Sequence, residues 1–213
     1  MKILNLYAGI GGNRKNWTAV SVTAVEFDPV LAAVYAERFP EDTVIVDDAH
    51  QYLLDHYKEY DFIWSSPPCQ SHSSFRQNIC VRYRGTPAAY PDMRLYQEIL
   101  FLRHNARCLW TVENVKPYYG PLIEPEIVLQ RHLFWSNFQI PNADMQPKIK
   151  IRSAQIPDLE QAFGFSLREF KIKNKRQVLR NCVDPKLGLH ILESAKAFIQ
   201  QTCKNTAIEN QLK

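Results

Sequence analysis

Short runs of β-type residues alternate with stretches of helical composition through the first half of the chain, and this alternation restricts the fold more than any other feature. Residues 3–7, 22–27, 43–46, 61–65 and 109–113 read as strands, and residues 31–39, 49–57 and 92–103 as helices. Strands and helices that alternate build an α/β fold: a mostly parallel sheet with helices on both faces. Ligands of such sheets gather beyond the carboxyl ends of the strands. The residues just after each strand are therefore where chemistry is expected.

One connection breaks the rhythm. Residues 67–91 hold Ser, Gly, Pro, Arg and Asn with no helical or strand period, and a loop that long inside a compact domain is usually functional, often a lid. A further strand is expected over residues 133–140. Residues 141–175 follow as an irregular stretch rich in Lys, Gln and Pro, with a short helical piece near 158–163. Residues 185–201 read as a closing amphipathic helix whose stripe includes Leu189 and Leu192, and the polar tail beyond Cys203 is expected to fray.

The totals set bounds. At 213 residues and 46% hydrophobic, the chain can bury one good core, so one domain with one site is expected. Lys and Arg number 26 against 22 Asp and Glu, a formal +4 that permits contact with a polyanion without requiring it. No opening stretch has the build of a signal peptide and no run is long enough to span a membrane, so the chain reads as soluble and cytoplasmic. The five cysteines, Cys69, Cys80, Cys108, Cys182 and Cys203, are odd in number and scattered, with no CxxC pair. Neither a disulfide framework nor a structural metal is expected.

Five constellations sit after strands. Leu6-Tyr7-Ala8-Gly9-Ile10-Gly11-Gly12 is a glycine-rich turn that lets backbone approach a nucleoside or phosphate, although such turns also occur for geometric reasons alone. Arg14 stands where a third glycine of a dinucleotide fingerprint would fall, which counts against a dehydrogenase. In Glu26-Phe27-Asp28-Pro29, Asp28 before Pro29 has the pattern of a helix cap, leaving Glu26 for ribose hydroxyls and Phe27 for stacking on a purine. Asp48, followed by Ala49, is either a cap or an acceptor for an exocyclic amine. Cys69 within Ser66-Pro67-Pro68-Cys69-Gln70 opens the long loop, where a thiolate would be an accessible nucleophile. Finally, Glu113-Asn114-Val115 ends a hydrophobic strand, and a carboxylate placed there is costly unless it is used or paired.

Taken together and in this order, these motifs resemble the cytosine-5 DNA methyltransferase family. The counterparts of its Phe-x-Gly-x-Gly-Gly, Glu-aromatic-Asp, Pro-Cys-Gln and Glu-Asn-Val motifs are Tyr7 to Gly12, Glu26 to Asp28, Pro68 to Gln70 and Glu113 to Val115. Asp48 is the acid after the third strand, Gln130-Arg131 a partial Gln-x-Arg-x-Arg, and Asn181-Cys182-Val183 the closing Asn-x-Val. Tyr7 replaces the usual Phe, and only one arginine follows Gln130, so either Arg131 or His132 fills the base-contacting position. The resemblance covers residues 3–140 and 176–200.

The resemblance implies a Rossmann-like S-adenosylmethionine-dependent methyltransferase fold. Residues 1–140 and 176–203 would form the catalytic domain, 141–175 a reduced target-recognition segment and 204–213 a flexible tail. It further implies S-adenosylmethionine bound by Tyr7, Ala8, Gly9, Gly11, Gly12, Glu26, Phe27, Asp48, Ala49, Pro68, Asn181 and Val183, with S-adenosylhomocysteine as product. The implied reaction flips a cytosine out of DNA, adds Cys69 to its carbon 6, protonates N3 from Glu113 and contacts O2 through Arg131, before carbon 5 takes the methyl group. Gln70, Ser73, Arg76, Arg82 and Arg84 of the long loop would face DNA. Lys148, Lys150, Arg152, Arg168, Lys171, Lys173 and Lys175 suggest phosphate contact in the short segment. DNA is thus the expected partner, in a restriction-modification or phage setting, with a second chain supplying recognition if the segment is too small and a monomer otherwise. An RNA cytosine-5 methyltransferase would share every catalytic residue, and a non-catalytic DNA-binding subunit is the rival that the intact Cys69 and Glu113 argue against.

Overall fold

The computed structural model describes residues 1–146, 149–151 and 153–211; Lys148 and Arg152 lie outside the described residues. Seven strands form one sheet: β1 (Lys2–Leu6), β2 (Ser21–Val25), β3 (Thr43–Ile45), β4 (Phe62–Ser65), β5 (Leu109–Val115), β6 (Ile127–Leu129) and β7 (His132–Ser136). Their order is β3-β2-β1-β4-β5-β7-β6, with β1 to β5 mutually parallel and β7 antiparallel to both β5 and β6. The chain runs outward from β1 to β3 in one direction and from β4 onward in the other. The crevice beyond the carboxyl ends of β1 and β4 is therefore a topological switch point. The mostly parallel α/β sheet expected from the alternation is the one observed.

Helices cover both faces. On one side α2 (Ala49–His56) and α4 (Arg94–Asn105) bury Leu53, Leu95, Tyr96, Ile99 and Leu102 against Leu4, Ile63, Trp110 and Trp135. The opposite face carries Trp17, Phe62, Trp64, Phe134 and Phe138 under α7 (Pro185–Gln211), whose Leu187, Ile191, Leu192 and Ala195 are fully buried. Each of the larger aliphatics there contributes about 1.5–3 kcal/mol by leaving water. The close docking of α7 depends on Gly188: a Cβ at that position would lie 2.2 Å from the carbonyl oxygen of Asn13. Helix α1 (Pro29–Arg38) starts at Asp28, whose carboxylate accepts the backbone N–H of Val30 at 2.8 Å, the cap that Asp28-Pro29 predicts.

Several elements differ from expectation. The strand read over residues 133–140 ends at Ser136, where the Ser136 hydroxyl donates to the Phe138 carbonyl at 2.7 Å and the chain turns while Phe138 and Ile140 stay buried. The three-residue β6 is too short to show a period. Helix α6 (Lys175–Asn181) buries only Leu179, so its sequence carries no apolar stripe. The residue 67–91 connection includes a wide helical turn at Arg76–Val81 and a single turn, α3 (Arg82–Arg84). Helix α7 passes the expected end at residue 201 and runs to Gln211, into the stretch read as a tail.

Residues 141–175 include α5 (Ile156–Phe163) and a small core of their own. Leu159, Phe163, Phe165 and Leu167 pack with Ile10, Val34 and Leu179, which ties the segment to the glycine-rich turn and to α1.

Candidate active site

Strand register brings the functional segments together. Leu6 pairs with Ser65, and Ser65 with Val112, so the residues that follow, Tyr7, Ser66 and Glu113, emerge side by side at the sheet's carboxyl edge. They line a cavity of about 510 Å³, within the size range of small-molecule sites.

The three motif glycines do different jobs. A Cβ on Gly11 (φ 78°) would lie 2.2 Å from the Phe39 ring, and one on Gly12 would lie 2.7 Å from the Val183 carbonyl oxygen. Both are required by packing. Gly9 (φ 53°) would meet nothing within 4 Å and borders the cavity, the open cradle a nucleoside ligand needs. Its N–H donates to Glu26 Oε2 at 2.8 Å while that of Asp28 donates to Oε1 at 2.9 Å. Burial pushes the Glu26 carboxyl up, and these backbone bonds oppose the shift. Phe27, 74% exposed, borders the cavity. Asp48 is the cap of α2, accepting from the His50 N–H at 2.8 Å, and its other oxygen lies 3.6 Å from Arg94. The cap reading of Asp48 is the one observed, and capping leaves further acceptor sites on the carboxylate. Arg14, at the missing third glycine, is a buried structural residue that grips Asp42 at 2.8 and 2.9 Å.

Across the cavity lies the candidate chemistry. Burial, reinforced by the nearby Glu113 charge and opposed by Arg131, pushes the Cys69 thiol up to about 11. Burial likewise raises the Glu113 carboxyl to about 7, against the Ser66 hydrogen bond and the Arg131 charge. Glu113 is thereby able to hold a proton near neutrality, the property a general acid needs. His132 Nε2 stands 3.7 Å from Glu113 Oε1, but burial holds that imidazole neutral, so the two do not form an ion pair. Arg131 also borders the cavity and donates through Nη2 to the Arg180 carbonyl at 2.7 Å, which anchors it to α6. The Asn114 amide donates to the Pro67 carbonyl at 2.9 Å and so fixes the Pro67-Pro68-Cys69 turn against β5.

Tyr7, Ala8, Gly9, Gly12, Glu26, Phe27, Asp48, Ala49, Pro68, Asn181 and Val183 all line the same cavity as Cys69, Gln70, Glu113 and Arg131; Gly11 packs behind it. Ser73, Arg76, Arg82 and Arg84 stand outside the lining, on the loop. Ser73 is bridged to Pro117, and Arg76 donates to the Pro87 carbonyl at 3.2 Å.

Sequence reasoning passed over the polar groups beneath the cavity. Glu98, 1% exposed, accepts from the hydroxyls of Tyr7 and Ser65 and contacts His50 Nδ1 at 2.9 Å. It occupies the apolar face of α4, among Leu95, Ile99 and Leu102. An acid at such a spacing was the available signal. Tyr7 is thus more than a neutral exchange for Phe, because its hydroxyl is committed to Glu98.

The family model for C-5 cytosine-specific DNA methylases matches residues 1–90. Over 76 residues the chain is 37% identical to the tRNA (cytosine(38)-C(5))-methyltransferase of Spodoptera frugiperda, a match covering 32% of this chain and 23% of that protein. Among solved structures, a DNMT2 variant of Spodoptera frugiperda matches at 27% identity, covering 57% of this chain and 37% of the other with a TM-score of 0.38. A putative DNA modification methyltransferase from an E. coli prophage matches at 22% identity, covering 55% and 32% with a TM-score of 0.37. The chain thus matches well under half the length of each of these relatives. Residues 1–90, from the opening strand through the Cys69 turn and most of its loop, carry the pattern of the C-5 cytosine-specific DNA methylase family.

Proposed function

We propose that this chain is an S-adenosylmethionine-dependent methyltransferase that modifies carbon 5 of a flipped-out cytosine in DNA through a covalent bond to Cys69. The observation that carries the reading is the convergence, on one cavity, of an open glycine cradle with Glu26 and Phe27 on one wall and Cys69 with Glu113 on the other. S-adenosylmethionine, when bound, supplies an electrophilic methyl group; Gly9, Glu26, Phe27 and Asp48 would hold it.

The chain's own residues account for the remaining steps. Cys69 sulfur, having released its proton to solvent, bonds to carbon 6. The electron pair of the 5,6 double bond is then available at carbon 5, and Glu113 gives its proton to N3. Arg131 stabilises the charge developing toward O2. After carbon 5 is methylated, its proton leaves to solvent, Cys69 is expelled and the N3 proton returns to Glu113. The loop carrying Arg76, Arg82 and Arg84 closes over the extruded base and meets phosphates, and residues 141–175 act as a reduced recognition segment.

A second reading is an RNA cytosine-5 methyltransferase, favoured by the tRNA substrate of the curated relative. One experiment separates them. Labelled methyl transfer is measured on duplex DNA, single-stranded DNA and tRNA, each with cytosine or 5-fluorocytosine, for the native chain and Cys69→Ser. The proposal expects transfer to DNA and a trapped adduct on fluorinated DNA that Cys69→Ser abolishes. Transfer confined to tRNA selects the second reading, and no transfer to any of the three overturns both.

A further inference from the structure

Glu113 accepts a hydrogen bond from Ser66, which in turn accepts one from Trp64, and neither partner has been given a role. Trp64 Nε1 donates to Ser66 Oγ at 2.8 Å, and Ser66 Oγ donates to Glu113 Oε2 at 2.9 Å. An indole N–H is a donor only, whereas a hydroxyl has one hydrogen and two lone pairs. Ser66 must therefore accept from Trp64, and its single hydrogen is left for Glu113. Burial holds the two ends of this chain: Trp64 is fully buried in the core beside Trp17 and Phe134, and Glu113 is 6% exposed.

We infer that Ser66, aligned by Trp64, is a positioning residue that keeps Oε2 of Glu113 as an acceptor and so confines the acid's proton to Oε1. This deepens, and rests on, the reading of Glu113 as the acid that protonates the base. Oε1 is the oxygen nearer His132, at 3.7 Å. The other groups around the carboxyl are the Cys69 thiol and the Arg131 guanidinium, and His132 is neutral. None of these competes with Ser66 for Oε2 among the described hydrogen bonds. When the Oε1–H bond breaks and the proton passes to N3 of the base, Glu113 becomes a carboxylate. The bond from Ser66 then becomes charge-assisted and strengthens as negative charge arrives. Ser66 thus stabilises the product of proton transfer more than the reactant, and without it the proton has two oxygens on which to reside.

The test compares native protein with Ser66→Ala and Ser66→Thr, the second keeping a hydroxyl. Glu113 is followed directly by 13C NMR of glutamate-labelled protein, with Glu113→Gln assigning its signal, and methyl transfer is followed as a function of pH. Ser66→Ala is expected to raise the Glu113 midpoint by about one pH unit, because it removes a hydrogen bond to the charged form. It should move the alkaline limb of the rate profile upward by the same amount and lower the plateau rate roughly 10-fold. Ser66→Thr should restore both. A midpoint that does not move in Ser66→Ala overturns the inference, whatever the activity. A midpoint that moves in protein with no transfer to any nucleic acid leaves Ser66 in place and sinks the methyltransferase reading instead. A lower rate with an unmoved alkaline limb means that Ser66 is merely structural.

Discussion

Glu113 makes the folded state itself sensitive to pH. Its folded-state value of about 7 stands above the ordinary 4.5, so the stability that the buried neutral carboxyl contributes is complete below about pH 4.5 and is lost as pH rises through about 7. Two and a half pH units correspond to ~3 kcal/mol for this one group. Glu113→Gln, neutral at every pH, should therefore gain thermal stability relative to native protein between pH 5 and pH 8, as read from Tm at the two pH values. An unchanged difference would mean that the carboxylate is compensated in the fold. Tyr7→Phe is the companion case. It removes a hydroxyl from the buried Glu98 carboxylate while Ser65 and His50 stay, and should lower stability by about 1–3 kcal/mol in denaturant melts. His50, whose own titration is raised chiefly by its bond to Glu98, should shift further in that variant if it takes up the vacated contact.

At the scale of elements, two glycines set how closely segments distant in sequence approach. Gly188→Ala would drive a methyl group into the Asn13 carbonyl at 2.2 Å, backbone against backbone, and α7 would have to back away from the sheet. The same helix receives the Trp17 indole N–H on the Gly188 carbonyl at 3.0 Å. A loss of more than about 3 kcal/mol in urea unfolding is expected, beyond the usual range for overpacking, because no flexible side chain can give way. Gly12→Ala meets the Val183 carbonyl at 2.7 Å and should displace the Asn181–Val183 wall of the cavity, weakening ligand binding more than global stability. Isothermal titration with S-adenosylhomocysteine separates the two effects.

For the whole molecule, the formal +4 is small, and charge placement matters more than the total. Arg76, Arg82 and Arg84 share the loop that Cys69 opens, together with Tyr83 at 81% and Tyr90 at 96% exposure. Replacing Arg82 and Arg84 with Ala should reduce the dependence of nucleic-acid affinity on salt by about 1–2 in log–log slope, leaving the folded state intact. A slope equal to that of native protein would remove the loop from the binding face.

The alternation that yields a parallel sheet, the places of its five parallel strands and the helix cap at Asp28 were all legible in the sequence. Each of these depends on periodicity or on neighbours within a few residues, and so is written locally. The sequence also carried an ordered set of short motifs around Cys69 and Glu113, because residues that line one cavity recur just after successive parallel strands. The rest depends on contacts between segments distant in sequence, which exist only in the folded chain. A Cβ at Gly11 or Gly12 would meet Phe39 or Val183, neighbours that only the fold brings there. Glu98 lies under Tyr7 because α4 packs on the sheet and carries its carboxyl to the ends of β1 and β4, where Tyr7 and Ser65 donate to it. The Trp64–Ser66–Glu113 chain exists because Ser65 pairs with Val112, which aligns the ends of two strands separated by more than forty residues. Side-chain hydrogen bonds of that kind follow register and burial, and neither is encoded in any single stretch of the chain.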